Sequence, residues 1–363
     1  MKKRNFNQYA FPTIFLAILI LAGCATAPEP EEEKTEAGPV FYPPLPNPPR
    51  IQFLTTFSGA ADVEKVEKSE LATFVLGKET QEEQELSKPY GVALFDGKLY
   101  VADTRGGGYA IFDLREHTFR AVGGFKKPIN ITFDAKGNKY ITDTVLDQVI
   151  VYGPGDNRIQ AFGETGEMKP GDVAILGNKL FVTDLKNHQI QVLDKTSGEF
   201  LYAIGSAGSA DGQFVYPTNL ALGPDGNLYV SDTGNFRVEV FSPEGRFIRK
   251  LGEIGTSLGK FARPKGISVD RDGRIYVVDA AFQNVQVFDS EGKLLMFFAE
   301  PGNGPGQLYL PTDISIDYEN VAYFQPYAEP GFKLEYVILV SNQFGPNKVN
   351  VYGFGKMQGM DYQ

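Results

Sequence analysis

The sequence predicts an all-β chain, a six-bladed β-propeller of four-stranded antiparallel blades. Three observations carry that prediction. An apolar strand ending in aspartate recurs as "KLYVAD" (Asp103), "NKYITD" (Asp143), "NKLFVTD" (Asp184), "NLYVSD" (Asp232) and "RIYVVD" (Asp279), with a degenerate sixth, "VILVSN" (Asn342). The six registers lie 40, 41, 48, 47 and 63 residues apart, close to the length of one propeller blade. No run shows apolar residues at helical spacing between caps.

The elements follow in chain order. Residues 1–23 read as an export signal: Lys2, Lys3 and Arg4 precede the apolar run "FPTIFLAILIL", 11 residues long and short of the roughly 20 a spanning helix needs. The run ends in "LAGC", which resembles the lipobox of bacterial lipoproteins. That resemblance implies acylation of Cys24, the chain's single cysteine, and hence a membrane-lipid partner. Cleavage after "ATA" (residues 25–27) is the alternative, and would leave a soluble protein. With Ala25 next to the cysteine, resemblance to Gram-negative sorting implies a lipid-anchored protein of the cell envelope, in the outer membrane and facing the periplasm. A lipidated Cys24 leaves no thiol for a disulfide, a nucleophile or a zinc site.

Residues 24–49 are rich in Pro and Glu and read as a tether with no core of its own, although Phe41, Tyr42 and Leu45 could lie against the folded body. Removing the signal takes the net charge from −10 to −13. So acidic a body is repelled by phosphate backbones, and nucleic acid is not expected as a partner. Residues 50–356 form the propeller. Each unit opens on "P-x-(G/N/D)", passes through the aspartate strand and a third strand such as "VQVFD", and ends in a fourth such as "RFIRKLG". Turns at "DG", "GN", "EG" and "SG" suit tight hairpins. The sixth unit stops after "VNVYGFG", while "RIQFLTTF" (Arg50 to Phe57) precedes the first as a stray fourth strand. Pairing the two closes the ring and hides both edges. Unit six alone carries an insertion, residues 318–336, rich in Tyr and Phe; it is either a packed lid or an exposed recognition surface. Residues 357–363 are a tail.

The string "YVxDxxNxxIxVF…G…G" resembles the NHL repeat, and "DLKNHQIQVLD" keeps the Asn187–His188 pair of the family name. WD40 repeats share the period, but this chain has no tryptophan. The lead-in "FYPPLPNPPRIQFL" is similar to bacterial NHL-repeat lipoproteins. NHL propellers include protein-binding, RNA-binding and enzymatic members, so fold does not choose a function. The lyase branch uses several histidines, whereas this chain has two, His117 and His188, in different blades.

Other motifs read as structure. "GTSLG" (255–259) fits a nucleophile elbow in letters but falls in a loop between blades, and "DRDG" (270–273) is a two-strand turn lacking later calcium ligands. The repeated aspartates read as acceptors for the backbone of the following loop. The positions that break the symmetry are more informative. Two residues after each opening proline come Gly91, Asn130, Asp172, Asn219, Gly266 and Asp313. Asn130, Asp172, Asn219 and Asp313 would place four oxygen-bearing side chains around the central channel, above small residues such as Thr132 and Ser268. Their bland role is to cap loop backbone or hold channel water. The alternative is a ligand or metal site for a hard cation such as Ca²⁺, similar to gluconolactonase-like propellers but without a glutamate in blade 1 or a general base. One residue before the prolines, Lys88, Lys127, Lys169 and Arg263 form a basic collar, either solvated or docking an anionic partner. These features lead to two expectations. The first is an anchored scaffold that binds a protein of the envelope or a ligand; the second is a Ca²⁺-dependent hydrolase or lactonase at the channel mouth.

Overall fold

The computed structural model describes residues 38–64 and 84–362. The signal segment, Cys24 and the tether through residue 37 lie outside the described residues. Blade 1 comprises β3 (Pro89–Phe95), β4 (Lys98–Asp103), β5 (Gly108–Asp113) and β6 (Thr118–Gly123). Blade 2 comprises β7 (Pro128–Phe133), β8 (Lys139–Asp143), β9 (Gln148–Tyr152) and β10 (Arg158–Phe162). Blade 3 holds β11 (Pro170–Leu176), β12 (Lys179–Asp184), β13 (Gln189–Asp194) and β14 (Phe200–Ile204). In blade 4 these are β15 (Pro217–Leu222), β16 (Leu228–Asp232), β17 (Arg237–Phe241) and β18 (Phe247–Leu251). Blade 5 has β19 (Pro264–Val269), β20 (Ile275–Asp279), β21 (Asn284–Phe288) and β22 (Leu294–Phe298). The innermost strands touch in sequence from β3 through β7, β11, β15 and β19 to β23 (Pro311–Asp317), which packs back on β3.

Burial follows strand position. The two middle strands of a blade are covered on both faces, so β20 and β21 are buried at every residue, the polar Asn284 and Gln286 of β21 included. The outer strand has one face in solvent, and β22 and β18 alternate half-buried and exposed positions up to a buried last residue. The core therefore lies between blades. One cluster, for example, joins Tyr229 and Val240 of blade 4 to Ile267 and Val277 of blade 5.

Blade 6 is completed from the other end of the chain. Its order is β1 (Phe41–Tyr42), β2 (Ile51–Phe57), β25 (Val349–Met357), β24 (Phe332–Asn342), β23. The closing pair is antiparallel, with Phe57 opposite Val349, Phe53 opposite Tyr352 and Ile51 opposite Phe354. Phe57 is fully buried against Phe112 of blade 1 and Phe324, at ring separations of 5.5 and 6.4 Å.

Two boundaries move. The folded body begins before Arg50, because Phe41 and Tyr42 pair with Gln52 and Ile51 as a fifth strand. Phe41 is buried against Phe332, and the Tyr42 hydroxyl donates to the Gly306 carbonyl at 3.2 Å, so apolar burial overrides the proline-rich composition. The insertion in turn shortens, since β24 already starts at Phe332. Its helical turn, Val321–Phe324, buries Phe324, and Tyr336 is buried in the strand itself. The packed arrangement holds for these aromatics, while Tyr327 stays exposed.

Replacing Phe57 with Ala at the ring closure should cost about 3–5 kcal/mol. The exposed Phe200 of β14 should cost under about 0.5 kcal/mol when changed to Ala. Urea unfolding of both variants measures the contrast, and equal losses would contradict closure as drawn.

Candidate functional site at the channel mouth

Each opening strand carries a bulge. The register of the first hairpin shifts after Pro89, Pro128, Pro170, Pro217, Pro264 and Pro311. A bulge breaks the two-residue alternation and re-aims side chains, here at the end of the strand where the blades converge.

The symmetric aspartates hold the loops there. Asp103 accepts from the backbone N–H groups of Ser87 and Lys88 at 2.6 and 2.9 Å, and also from Arg105 and Gly106. Asp143 accepts from Lys126 and Lys127, Asp184 from Lys169, and Asp279 from Ala262 and Arg263. The backbone of every collar cation is thus pinned by the aspartate of its own blade.

The oxygen ring assembles as a buried polar plug. Asn130, Asp172, Asn219 and Asp313 are all buried. Asp172 accepts from the Asn130 amide at 2.5 Å and from the Leu220 N–H of the next blade at 3.0 Å. Asp313 accepts from the Val92 N–H of blade 1 at 3.0 Å and the Asn219 amide at 3.4 Å. The two glycines are sterically required. A Cβ on Gly91 would sit 2.3 Å from Asn130 Oδ1, and one on Gly266 2.5 Å from the Asp313 Cα. Burial raises the Asp172 carboxyl to about 7, and burial together with the Asp172 charge pushes Asp313 well above the usual carboxylate range.

Among the described residues, no group of three or more His, Cys, Asp or Glu could hold a metal. The ring's own chemistry nevertheless fits one hard cation: it offers two buried carboxyls, both pushed up by burial and Asp313 also by the Asp172 charge, and Asn219 Oδ1, a buried acceptor with no donor. Asp172, Asp313 and Asn219 would hold such an ion, whose charge would ionise both carboxyls.

Above the plug lies a cavity of about 200 Å³ lined by Tyr90, Ile129, Gly171, Thr218 and Lys265, together with Lys127, Lys169, Thr144 and Leu185. No carboxylate lines it. Lys127 and Lys169 of the collar reach it, whereas Lys88 lies over the Phe344 ring, 5.3 Å from its centre. Lys265 Nζ donates to the Tyr90 hydroxyl at 3.4 Å. Burial, and then the nearby Arg263 charge, lower the Lys265 amine to about 8, while burial and the two ring aspartates push the Tyr90 phenol up. Among the described residues, none of Lys127, Lys169, Arg263 and Lys265 forms an ion pair. Tyr90 and Lys265 are the residues sequence reasoning missed. They occupy the x of "P-x-(G/N/D)", between the two registers it considered.

A second depression of about 520 Å³ adjoins, sharing Lys169 and Leu185 and extending to Asp147, Lys186, His188 and Tyr216. His188 Nδ1 accepts from the Tyr216 N–H at 2.9 Å, a loop-holding role, and His117 belongs to the β5–β6 turn of blade 1. "GTSLG" lies in the loop between β18 and β19. Asp270 of "DRDG" is buried and accepts from the Arg274 guanidinium and the Tyr336 hydroxyl at 2.6 and 2.9 Å, as part of a hairpin turn.

Residues 214–241 match the NHL repeat, and residues 270–324 match a family described as 6-bladed beta-propeller. This chain is an NHL-type six-bladed β-propeller. It is 39% identical over 67 residues to Protein brain tumor of Drosophila melanogaster, and 31% identical over 136 residues to peptidyl-glycine alpha-amidating monooxygenase A of Xenopus laevis. Those stretches span 17% and 33% of this NHL-type propeller, and only 6% and 14% of the two relatives. Solved structures cover more of it. A Bacteroides thetaiotaomicron protein of unknown function superposes with a TM-score of 0.58 at 19% identity, over 84% of this chain and 75% of that one. A gluconolactonase from Xanthomonas campestris gives 0.57 at 15%, over 83% and 98%. An auxiliary nutrient binding protein from Bacteroides thetaiotaomicron gives 0.57 at 11%, over 74% and 69%. At such identities the likeness is one of fold.

The plug has a pH signature. A carboxyl whose folded pKa is raised supports the fold fully below its unfolded value and loses that support as pH rises through the folded value. For Asp172 the window runs from about 4 to about 7. Asp172→Asn should therefore gain stability relative to the wild type by roughly 1.4 kcal/mol for each pH unit of that window, about 3 kcal/mol between pH 4.5 and 8, read by urea midpoints at those two values. Saturating Ca²⁺ should stabilise the wild type at pH 8 and leave Asp172→Asn unmoved. A wild type indifferent to Ca²⁺ would remove the cation from the ring.

Proposed function

We propose that this propeller is a binding module whose ligand site is the channel mouth, and that the group bound there is a small anion. One observation carries the proposal: Lys127, Lys169 and Lys265 converge on a cavity with no acidic lining, in a chain whose net charge is −10. Surplus carboxylates are available elsewhere, yet none neutralises these cations. Packing unpaired ammonium groups together costs Coulomb energy, and a bound anion would recover it. The Tyr90 hydroxyl adds a neutral donor, and the depression running to Tyr216 leaves room for the rest of the ligand.

The anchor belongs to the same proposal. An acylated Cys24 would hold the propeller to the membrane of the cell envelope, where the collar would meet an anionic ligand or an acidic protein partner. Changing Cys24 to Ser should move the protein from the membrane to the soluble fraction after cell lysis, and unchanged fractionation would sink the anchor. The second reading, a Ca²⁺-dependent hydrolase, is favoured by the donorless Asn219 oxygen and stands or falls with the Ca²⁺ titration above.

Malonate and inorganic phosphate are suitable probes for calorimetry. Saturable binding is expected, weakened at least tenfold by Lys265→Met and by Lys169→Met. Affinity should fall as pH rises through about 8, where Lys265 gives up its proton. Failure of both probes to bind, or binding indifferent to both substitutions, would overturn the mouth as the ligand site.

A further inference from the structure

A second cleft, unrelated to the mouth, runs along the outside of the ring between blades 5 and 6. Its volume is about 840 Å³, within the range of small-molecule sites. One wall is β22, "LLMFF", whose Leu295 and Phe297 are 51% and 45% exposed, with Leu258 beside them at 48%. Outer strands β6, β10 and β18 each carry Arg or Lys, whereas β14 and β2, the fourth strand of blade 6, are free of charge like β22. An outer strand with an uncharged apolar face is normally protected, and β22 is not covered by the opposite wall. That wall is the lead-in from Tyr42 to Arg50, where Pro43, Pro44 and Pro48 line the cleft. Proline lacks the N–H that strand pairing needs, so the two walls stay apart.

The walls are held rigidly. The Tyr42 hydroxyl is tied to Gly306, the Arg50 N–H donates to the Tyr42 carbonyl at 2.9 Å, and the Tyr362 hydroxyl donates to the Pro49 carbonyl at 2.8 Å. The Tyr42 ring also contacts Phe298 at the foot of β22, 6.0 Å away. Such a cleft is preformed and needs little ordering on binding.

Its charge is one-sided in a specific way. Arg274 lies over the Phe354 ring but is already paired with Asp270 and Asp272. Arg50 is stacked on Tyr362 at 4.5 Å and on Phe354 at 5.8 Å, and its guanidinium forms no ion pair among the described residues. A planar guanidinium held by two rings, at an apolar cleft, presents a fork that matches a carboxylate. Glu300 also lines the cleft, and this like charge disfavours a dianionic phosphate more than a single carboxylate.

We propose that this cleft binds an elongated apolar molecule ending in one carboxylate, with the chain along β22 and the head on Arg50. The test uses the full-length protein with dodecanoate, dodecan-1-ol and dodecyl phosphate, each below its micelle-forming concentration, in calorimetry. Dodecanoate should bind one per chain. Dodecan-1-ol, which lacks the head, should bind at least tenfold more weakly. Arg50→Gln should weaken dodecanoate at least tenfold and leave dodecan-1-ol unchanged, and Arg50→Lys should restore part of the loss. Lys265→Met, at the mouth, should have no effect. Should Arg50→Gln fail to fold, the comparison of acid and alcohol on the wild type still decides. Absence of saturable dodecanoate binding, equal affinity for the alcohol, or tighter binding of dodecyl phosphate would each overturn the assignment.

Discussion

Everything in this molecule depends on a strand from the beginning of the chain pairing with one from its end. A propeller blade buries both faces of its middle strands only when it has a neighbour on each side, so a ring left open between blades 6 and 1 would expose Val101, Phe112, Leu339 and Val351, all of which are buried in one cluster with Phe57. The β2–β25 ladder joins residues some 300 positions apart. The entropy of closing so long a loop grows only slowly with length, and the buried apolar surface on both sides of the ladder outweighs it. The lead-in that follows from this pairing, Phe41 to Arg50, also builds one wall of the outer cleft.

Closure also explains why the polar plug and the cations above it sit where they do. Six inner strands meeting around one axis bring six equivalent positions close together, and there the repeat can no longer be symmetric. Gly91 and Gly266 leave room for their neighbours' side chains and backbone, while Asp172 and Asp313 each reach across to a backbone N–H of the next blade. The same polar contacts that link blades around the axis thus leave two carboxyls buried near one another. Just above them, the symmetric aspartates hold the loops whose lysines and arginine collect at the mouth. A net-acidic protein thus gathers cations there, and proximity rather than total charge decides what an approaching ion meets.

Much of this was legible in the chain itself, for reasons that can be named. The strand pattern, the turn glycines and the repeated aspartate are local signals, each needing only a few neighbouring residues, and they predicted blade number, closure and the loop-holding aspartates. The pairing of Asn130 with Asp172 and of Asn219 with Asp313 was not legible. Blades 4 and 6 are not neighbours in the ring, and no spacing along the chain says which side chains meet across it. Tyr90 and Lys265 were missed because strict alternation along a strand sends successive residues to opposite faces, and a sequence does not announce the bulge that suspends that rule.

The sequence by itself determined the wheel, its six sheets and the strand that seals it, since these follow from hydrophobic periodicity and from the need of every sheet for a neighbour. Tertiary structure alone decided which polar side chains share the axis, which lysines converge without a counter-charge, and how the proline-rich lead-in stands off from β22. Those outcomes depend on distances between residues far apart in the chain, and such distances exist only once the ring has closed.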